Sequence, residues 1–560
     1  MSHDREPVLE RRPAVNLAQL RMRARPAPTA LALLSAVALA AAGPVVAAQE
    51  AEPGWVVERV RFEPVADGGG HIRVDGSPTY RGTVEVRSGP AGLAVISEVS
   101  LNDYVKGIVE MPADWPAEAL EAQAVAARTY ALNQRASTAD STWRAAGADI
   151  CATQQCQVYG GVDGERRPSG DRWVAAADAT AGQVLLSRGE PILALYSSSN
   201  GGRSTAGGKP YLKAINDPDD ARSPLSRWSN AVPLGSVAGM LGVAPPLTLV
   251  GVSSQEGAVV YTVKDPAGVA SSRSIGADDF RGRANSSLGA APGLPSAVPS
   301  PRFSVATSGD RAVISGGGWG HGMGMSQYGA YGKALQGMSS DAILAAYYGG
   351  ITPTTLGGDQ LPASIRVAVA LGQSGVTVSA ERYFRPVSES GIPLGGVEVG
   401  RWKVKPAKGG VRVIPPVGRD QPLTARTASV EPPGPESTPV VRFDLTAPAV
   451  VTVRYVTPTG QPGAGPAEVV DVGEVIRPLP PPLTRGSYRV VIEADGGPGR
   501  FLSVPLHLEV DGPVRVRGQT VGAGEPVASR GGRAPVAALA LLLVVVMGAA
   551  LAASRNAARP

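Results

Sequence analysis

LNDYVKGIVEMPADWPAEALEAQAVAARTYAL, residues 101–132, separates strand-like sequence on its amino-terminal side from mixed sequence beyond it. Glu110 stands just before Met111-Pro112, a step that cannot continue a regular strand. From there the residues predict a helix, with Asp114 as cap, Pro116 in the first turn and Glu118 near the positive end of the dipole. Leu120, Ala124, Ala127 and Ala131 recur at helical spacing as one narrow stripe of mostly small residues, the pattern of a helix packed closely in a core.

Before this helix, WVVERVRFEPV, HIRVDG, RGTVEVRS and LAVISEVSL alternate apolar and polar residues between Gly-rich turns, as short strands do. After it a mixed region runs to about 350 and closes with a predicted helix in SSDAILAAYYGG. From about 360 the texture is β only. SIRVAVAL, GVTVSA, VEVGRWKV and GVRVIPP read as strands, and PPGPESTP as a linker. Residues 438–512 have the pattern of a small immunoglobulin-like β-sandwich, and 513–533 that of a flexible stalk. The expected class is α+β: a mixed domain over 49–355, a β-rich segment and linker over 360–428, then the sandwich.

The chain has 560 residues, of which 70 are Gly and 50 Pro. That is too long for one compact domain and too broken for a long helical bundle, while 43% hydrophobic residues suffice for a sizeable core. Two cysteines exclude a disulfide-stapled mini-fold and a multi-cysteine zinc array. The net charge of +5 resides in the ends, in the Arg-rich first 25 residues and in Arg555 and Arg559, so it is no sign of nucleic-acid binding.

Those ends read as addresses. The apolar block ALALLSAVALAAAGPVV precedes Val46-Ala47-Ala48, and cleavage after Ala48 would make 1–48 a signal peptide; the alternative is an uncleaved anchor. Residues 534–554 form an uncharged run long enough to span about 30 Å of hydrocarbon as a helix. The positive tail 555–560 places that end in the cytoplasm. The expected topology is type I, with the bulk of the chain on the outer side of the plasma membrane.

Several common catalytic signatures are absent: there is no HExxH, no GxSxG elbow and no Walker loop. Glu110 has Ile108, Val109, Met111 and Trp115 as sequence neighbours. A carboxyl in apolar surroundings keeps its proton near neutral pH, as a general acid must. The same position also suits an ordinary exposed or ion-paired glutamate.

Four stretches, EMPADWPAEALEAQAVAARTY, CQVYGG, YSSSNGG and GWGHGMGMSQYGA, follow one another along the chain. Together they resemble the SpoIID/LytB family, in the family's order and over roughly residues 55–350. The resemblance implies a peptidoglycan lytic transglycosylase that needs no cofactor and acts on glycan strands stripped of their stem peptides by an amidase. Glu110 matches the family's catalytic acid. It would protonate the oxygen between MurNAc and GlcNAc, and then, as carboxylate, take the proton of the MurNAc C6 hydroxyl. That hydroxyl closes on C1 to leave a 1,6-anhydro end. The substrate supplies its own nucleophile, so the second carboxylate of ordinary glycosidases is not required.

Tyr159, Tyr196, Ser198 and Asn200 are expected to line a sugar groove, with His321, Ser326 and Gln327 from the last motif. Arg128 would orient Glu110 or the substrate. Turn, packing and salt-link roles are the alternatives for all of these. Some family members bind zinc through two cysteines and nearby histidines. No histidine lies near Cys151 and Cys156 in sequence, and outside the cell a disulfide between them is expected rather than zinc. One departure is visible: YVKGIVEMP has two residues fewer between its Gly and EMP than the family pattern. This keeps open a second reading, a non-catalytic wall-binding protein that stimulates an amidase. An adhesion protein would account for the sandwich and anchor but not for the four motifs.

Overall fold

The computed structural model describes residues 54–65, 70–431, 439–479, 485–497, 499–511, 515–518 and 520–521. The expected signal peptide, membrane run and tail lie outside the described residues, as does most of PPGPESTP. Among the described residues no helix is long and apolar enough to cross a membrane. The described chain is a mixed α+β structure dominated by strands.

Two six-stranded sheets share the first core. One runs Phe384–Ser388, Arg59–Pro64, Thr83–Gly89, Gly92–Val99, Ile365–Gln373 and Ile150–Cys151; the other runs Trp55–Val57, Gly410–Ile414, Trp402–Ala407, Val376–Ala380, Ile72–Val74 and Thr79–Tyr80. The segment 360–428 is therefore not a unit of its own, as its composition suggested. Its strands sit inside sheets begun by residues 55–99, in pairs such as Ile365 with Val99 and Val378 with Val74. Alternating β sequence carries no record of its partner, and here these strands cover edges that the early strands would leave exposed.

The helix Ala117–Ala136 runs through this core. Every residue from Ala122 to Leu132 is buried, so the expected narrow stripe is in fact a helix enclosed on all sides. Helices Gly170–Ala179, Gln327–Leu335 and Ser340–Tyr347 and strand Gln183–Ser187 pack around it. The start also differs: Pro116 is the N-cap residue, and Asp114 offers its backbone oxygen to Arg172 at 2.7 Å instead of capping.

Residues 228–316 form a further layer that sequence patterning leaves undivided from its surroundings. Six strands in the order Trp228–Pro233, Arg311–Gly316, Phe303–Ser308, Thr248–Gln255, Ala258–Lys264 and Ala270–Gly276 enclose a separate core with helices Leu234–Leu241 and Ala277–Ser287. This layer is an excursion: the chain leaves after Tyr196–Ser197 and returns to pair Met325 and Ser326 parallel to those two residues.

From residue 425 onward, two sheets surround one core that contains Val441, Phe443, Tyr488, Ile492 and Leu508. Ala425–Glu431 belongs to this unit, and it pairs with Val440–Leu445, so PPGPESTP joins neighbouring strands rather than two domains. Residues Arg515–Gly518 of the expected stalk also belong here, because they pair with the end of Phe501–Asp511.

Candidate active site

The loop bearing Glu110 is held by the CQVYGG segment. Ile108 forms an antiparallel bridge with Tyr159, Val109 N–H donates to Val158 at 3.0 Å, and Gly160 N–H donates to Gly107 at 2.7 Å. Ile108, Met111 and Trp115 are buried, and the Trp115 ring lies against Tyr328 and Tyr331 with centroids 4.9 and 4.6 Å away. The apolar surroundings read from sequence neighbours are thus completed by distant residues.

Burial pushes the Glu110 carboxyl up from 4.5 to about 7, while hydrogen bonds from the Tyr196 hydroxyl and the Val158 backbone favour its charged form and limit the rise. The balance leaves a carboxyl that can both give and take a proton near neutrality. Tyr104, Tyr130 and Tyr196 feel its charge, and all three are phenols whose own ionisation burial pushes up. Gln157, which is fully buried, lies behind Tyr196: its Nε2 is 2.8 Å from the Tyr196 hydroxyl and its Oε1 accepts from Tyr104 at 2.8 Å.

Of the expected groove residues, only Tyr196 bonds to Glu110. Ser198 is half-buried, and its carbonyl accepts from the Tyr328 N–H at 3.0 Å. His321 is also half-buried. Its Nδ1 accepts from Met323 N–H at 3.0 Å, and burial keeps the ring below its ordinary value, so it is neutral at pH 7. The freedom of the glycines beside it serves packing: Gly320 has φ +100°, and a Cβ there would meet the Ser197 Cβ at 2.7 Å.

Five of the residues expected to meet substrate lie buried in the structure. Arg128 is 1% exposed, and its two terminal nitrogens donate to the Gln183 and Ala177 carbonyls and to Asn102, which ties helices and a strand together. Burial lowers its guanidinium to about 10. Tyr159 is buried between Tyr80 and Tyr104, its ring 5.9 and 5.1 Å from theirs. Asn200 is buried and donates to Asp217 at 2.8 Å. Ser326, fully buried, caps helix Gln327–Leu335 by accepting from Gly329 N–H at 3.0 Å. Gln327 is buried and faces Gln123. Small polar residues in Gly-rich motifs look alike from sequence whether they face a ligand or satisfy buried backbone.

What sequence reasoning missed is the segment 217–220. Asp220 is fully buried and accepts from the Ser199 and Ser326 hydroxyls and from the Asn200 and Gly202 N–H groups. Asp217 accepts from Lys333 and Asn200 at 2.8 Å and from Tyr347 at 2.6 Å. NDPDD carries turn chemistry but nothing that names its partners, which lie in two separate motifs. Cys151 and Cys156 are joined in a disulfide, immediately before Gln157. Among the described residues no group of three or more His, Cys, Asp or Glu is placed to hold a metal ion.

The family model described as "Stage II sporulation protein" matches residues 90–186, which include Glu110, the long helix and the disulfide. Stage II sporulation protein D of Bacillus subtilis is 30% identical over 300 residues, covering 50% of this chain and 83% of that protein. An uncharacterized Brachyspira hyodysenteriae protein is 30% identical over 271 residues, 46% of this chain and 68% of its own. The amidase enhancer of Bacillus subtilis is 30% identical over 300 residues, 45% of this chain and 40% of its own. With the four motifs folded into one site, and with relatives covered over more than two thirds of their length, the chain belongs to the SpoIID/LytB family.

Proposed function

We propose that this protein is a peptidoglycan lytic transglycosylase acting on peptide-denuded glycan strands. The observation that carries the reading is Glu110 itself: one carboxyl, held near pH 7 by burial and bonded by Tyr196. Its proton passes to the oxygen linking MurNAc to GlcNAc as that bond breaks. The carboxylate then takes the proton of the MurNAc C6 hydroxyl, whose oxygen closes on C1. No water is consumed, one carboxyl serves both steps, and the product carries a 1,6-anhydroMurNAc end.

Mass spectrometry of amidase-treated sacculi incubated with the protein tests this. The expected products are 1,6-anhydro ends, formed much less from intact peptidoglycan; reducing MurNAc ends would mean hydrolysis and sink the mechanism. A second reading is favoured by the similarity to the amidase enhancer, under which the protein binds the wall and stimulates an amidase. Stimulation of an added amidase without glycan cleavage would establish that alternative. In either case the proposed setting is the outer side of the plasma membrane, with 534–554 as the anchor.

A further inference from the structure

The Ala127 carbonyl, a group that can only accept, determines the direction of a buried hydrogen-bond chain that ends on Glu110. Gln157 Nε2 is 3.2 Å from that oxygen, so the amide nitrogen, not the amide oxygen, occupies this place. Its other end, Oε1, then faces the Tyr104 hydroxyl, which must donate. The second hydrogen on Nε2 points to the Tyr196 hydroxyl oxygen at 2.8 Å, so Tyr196 accepts there and its single proton is left for Glu110 Oε2.

We infer that Gln157, oriented by Ala127 and Tyr104, is a positioning residue that commits the Tyr196 hydroxyl to donate to Glu110 Oε2, leaving Oε1 to carry the exchangeable proton. This deepens the proposed transglycosylase reading and rests on it. An amide N–H donating into the phenol oxygen makes the phenol a stronger donor, because hydrogen bonds in a chain polarise one another. The strengthened bond favours the carboxylate, the form that must collect the C6 hydroxyl proton. Burial favours the acid, the form that starts the reaction. Tyr196 and Gln157 thus counterbalance burial, so that neither protonation state dominates. Among the described residues the causes acting on Glu110 are burial and the Tyr196 and Val158 hydrogen bonds, and Tyr104, Tyr130 and Tyr196 feel its charge.

The test is a graded series in the full chain: Tyr196→Phe, Gln157→Met and Tyr104→Phe. Two quantities are read in each. One is the Glu110 titration midpoint, from the carboxyl infrared band with Glu110→Gln subtracted. The other is the pH profile of kcat/KM on peptide-denuded glycan strands. Tyr196→Phe should raise the midpoint by about one pH unit, since it removes a hydrogen bond to the charged form. Gln157→Met should raise it by roughly half as much, and Tyr104→Phe by less again, with the basic limb of the profile moving in step. A midpoint unchanged from wild type in folded Gln157→Met overturns the inference. If that variant does not fold, an unchanged midpoint in Tyr104→Phe, which keeps the ring, overturns it instead. Midpoints that rise in this order while the wild type cleaves nothing would leave the chain in place and remove the transglycosylase reading.

Discussion

Asp220 and Ser326 lie 106 positions apart in the chain and meet side chain to side chain in full burial. The same carboxylate takes the Ser199 hydroxyl at 2.7 Å and the Asn200 and Gly202 N–H groups at 3.0 and 3.1 Å. One acidic group thereby joins the turn after Tyr196 to the start of helix Gln327–Leu335. The whole 228–316 layer intervenes in sequence between the two joined segments.

Asp220→Asn puts two donor hydrogens where four donors already converge. Leaving buried donors unmet costs about 1–3 kcal/mol each, so a loss of about 3 kcal/mol or more in unfolding free energy is expected from denaturant titration. Glycan cleavage should fall with it although Glu110 is untouched. Wild-type stability in the variant would show that the junction is dispensable.

Glu110→Gln keeps the shape of the side chain and its hydrogen-bonding capacity but cannot cycle a proton. Cleavage of denuded strands should drop by about 10²-fold or more, since general acid–base catalysis contributes about 10²–10⁴-fold. Glu118→Gln and Glu121→Gln alter half-buried residues of the long helix and should cost far less. Full activity in Glu110→Gln would place the acid elsewhere.

Stability should depend on pH through the same residue. The folded state holds the Glu110 proton up to about pH 7, whereas the unfolded chain releases it near 4.5. The penalty is absent below pH 4.5, grows as the pH rises, and is complete above 7 at about 3 kcal/mol. Glu110→Gln removes it, so the variant should gain stability over wild type between pH 4.5 and 8. Thermal unfolding at both pH values checks this, and a difference that does not change with pH would contradict it.

The Cys151–Cys156 bridge closes a short loop directly ahead of Gln157. Replacing both cysteines with serine should lower stability by about 2 kcal/mol, the loop-closure contribution for so few residues. It should also loosen the Gln157 amide, lowering activity more than that stability loss explains. Unchanged unfolding and cleavage would show that the bridge does not support the site.

Truncation after Gly532 should release the protein from membranes into the medium, as expected if 534–554 is the anchor. A truncated form that still sediments with membranes would instead point to an uncleaved amino-terminal run.

Much of the site was legible in the sequence because its chemistry is local. Met111-Pro112 ends any strand, Pro116 and the alanines start a helix, and the apolar neighbours of Glu110 allow a carboxyl that holds its proton, one of two readings the sequence left open. The β texture from 360 onward was equally plain, since alternation with period two is written in neighbouring residues.

What the sequence by itself determined was therefore the identity of many elements and the family motifs, with Glu110 among them. Only the tertiary structure decided the partners. Residues 365–414 could have formed their own unit, but their pairing with 55–99 is a matter of register and exposed edges, which alternation leaves unspecified. Arg128, Tyr159, Asn200, Ser326 and Gln327 all carry groups able to bind a sugar. Each was instead taken up inside the protein, because buried polar groups must be paired and these were the pairs within reach. Gln157 gives no sign of a role in sequence, since an amide has direction only once an obligate acceptor such as the Ala127 carbonyl is placed beside it.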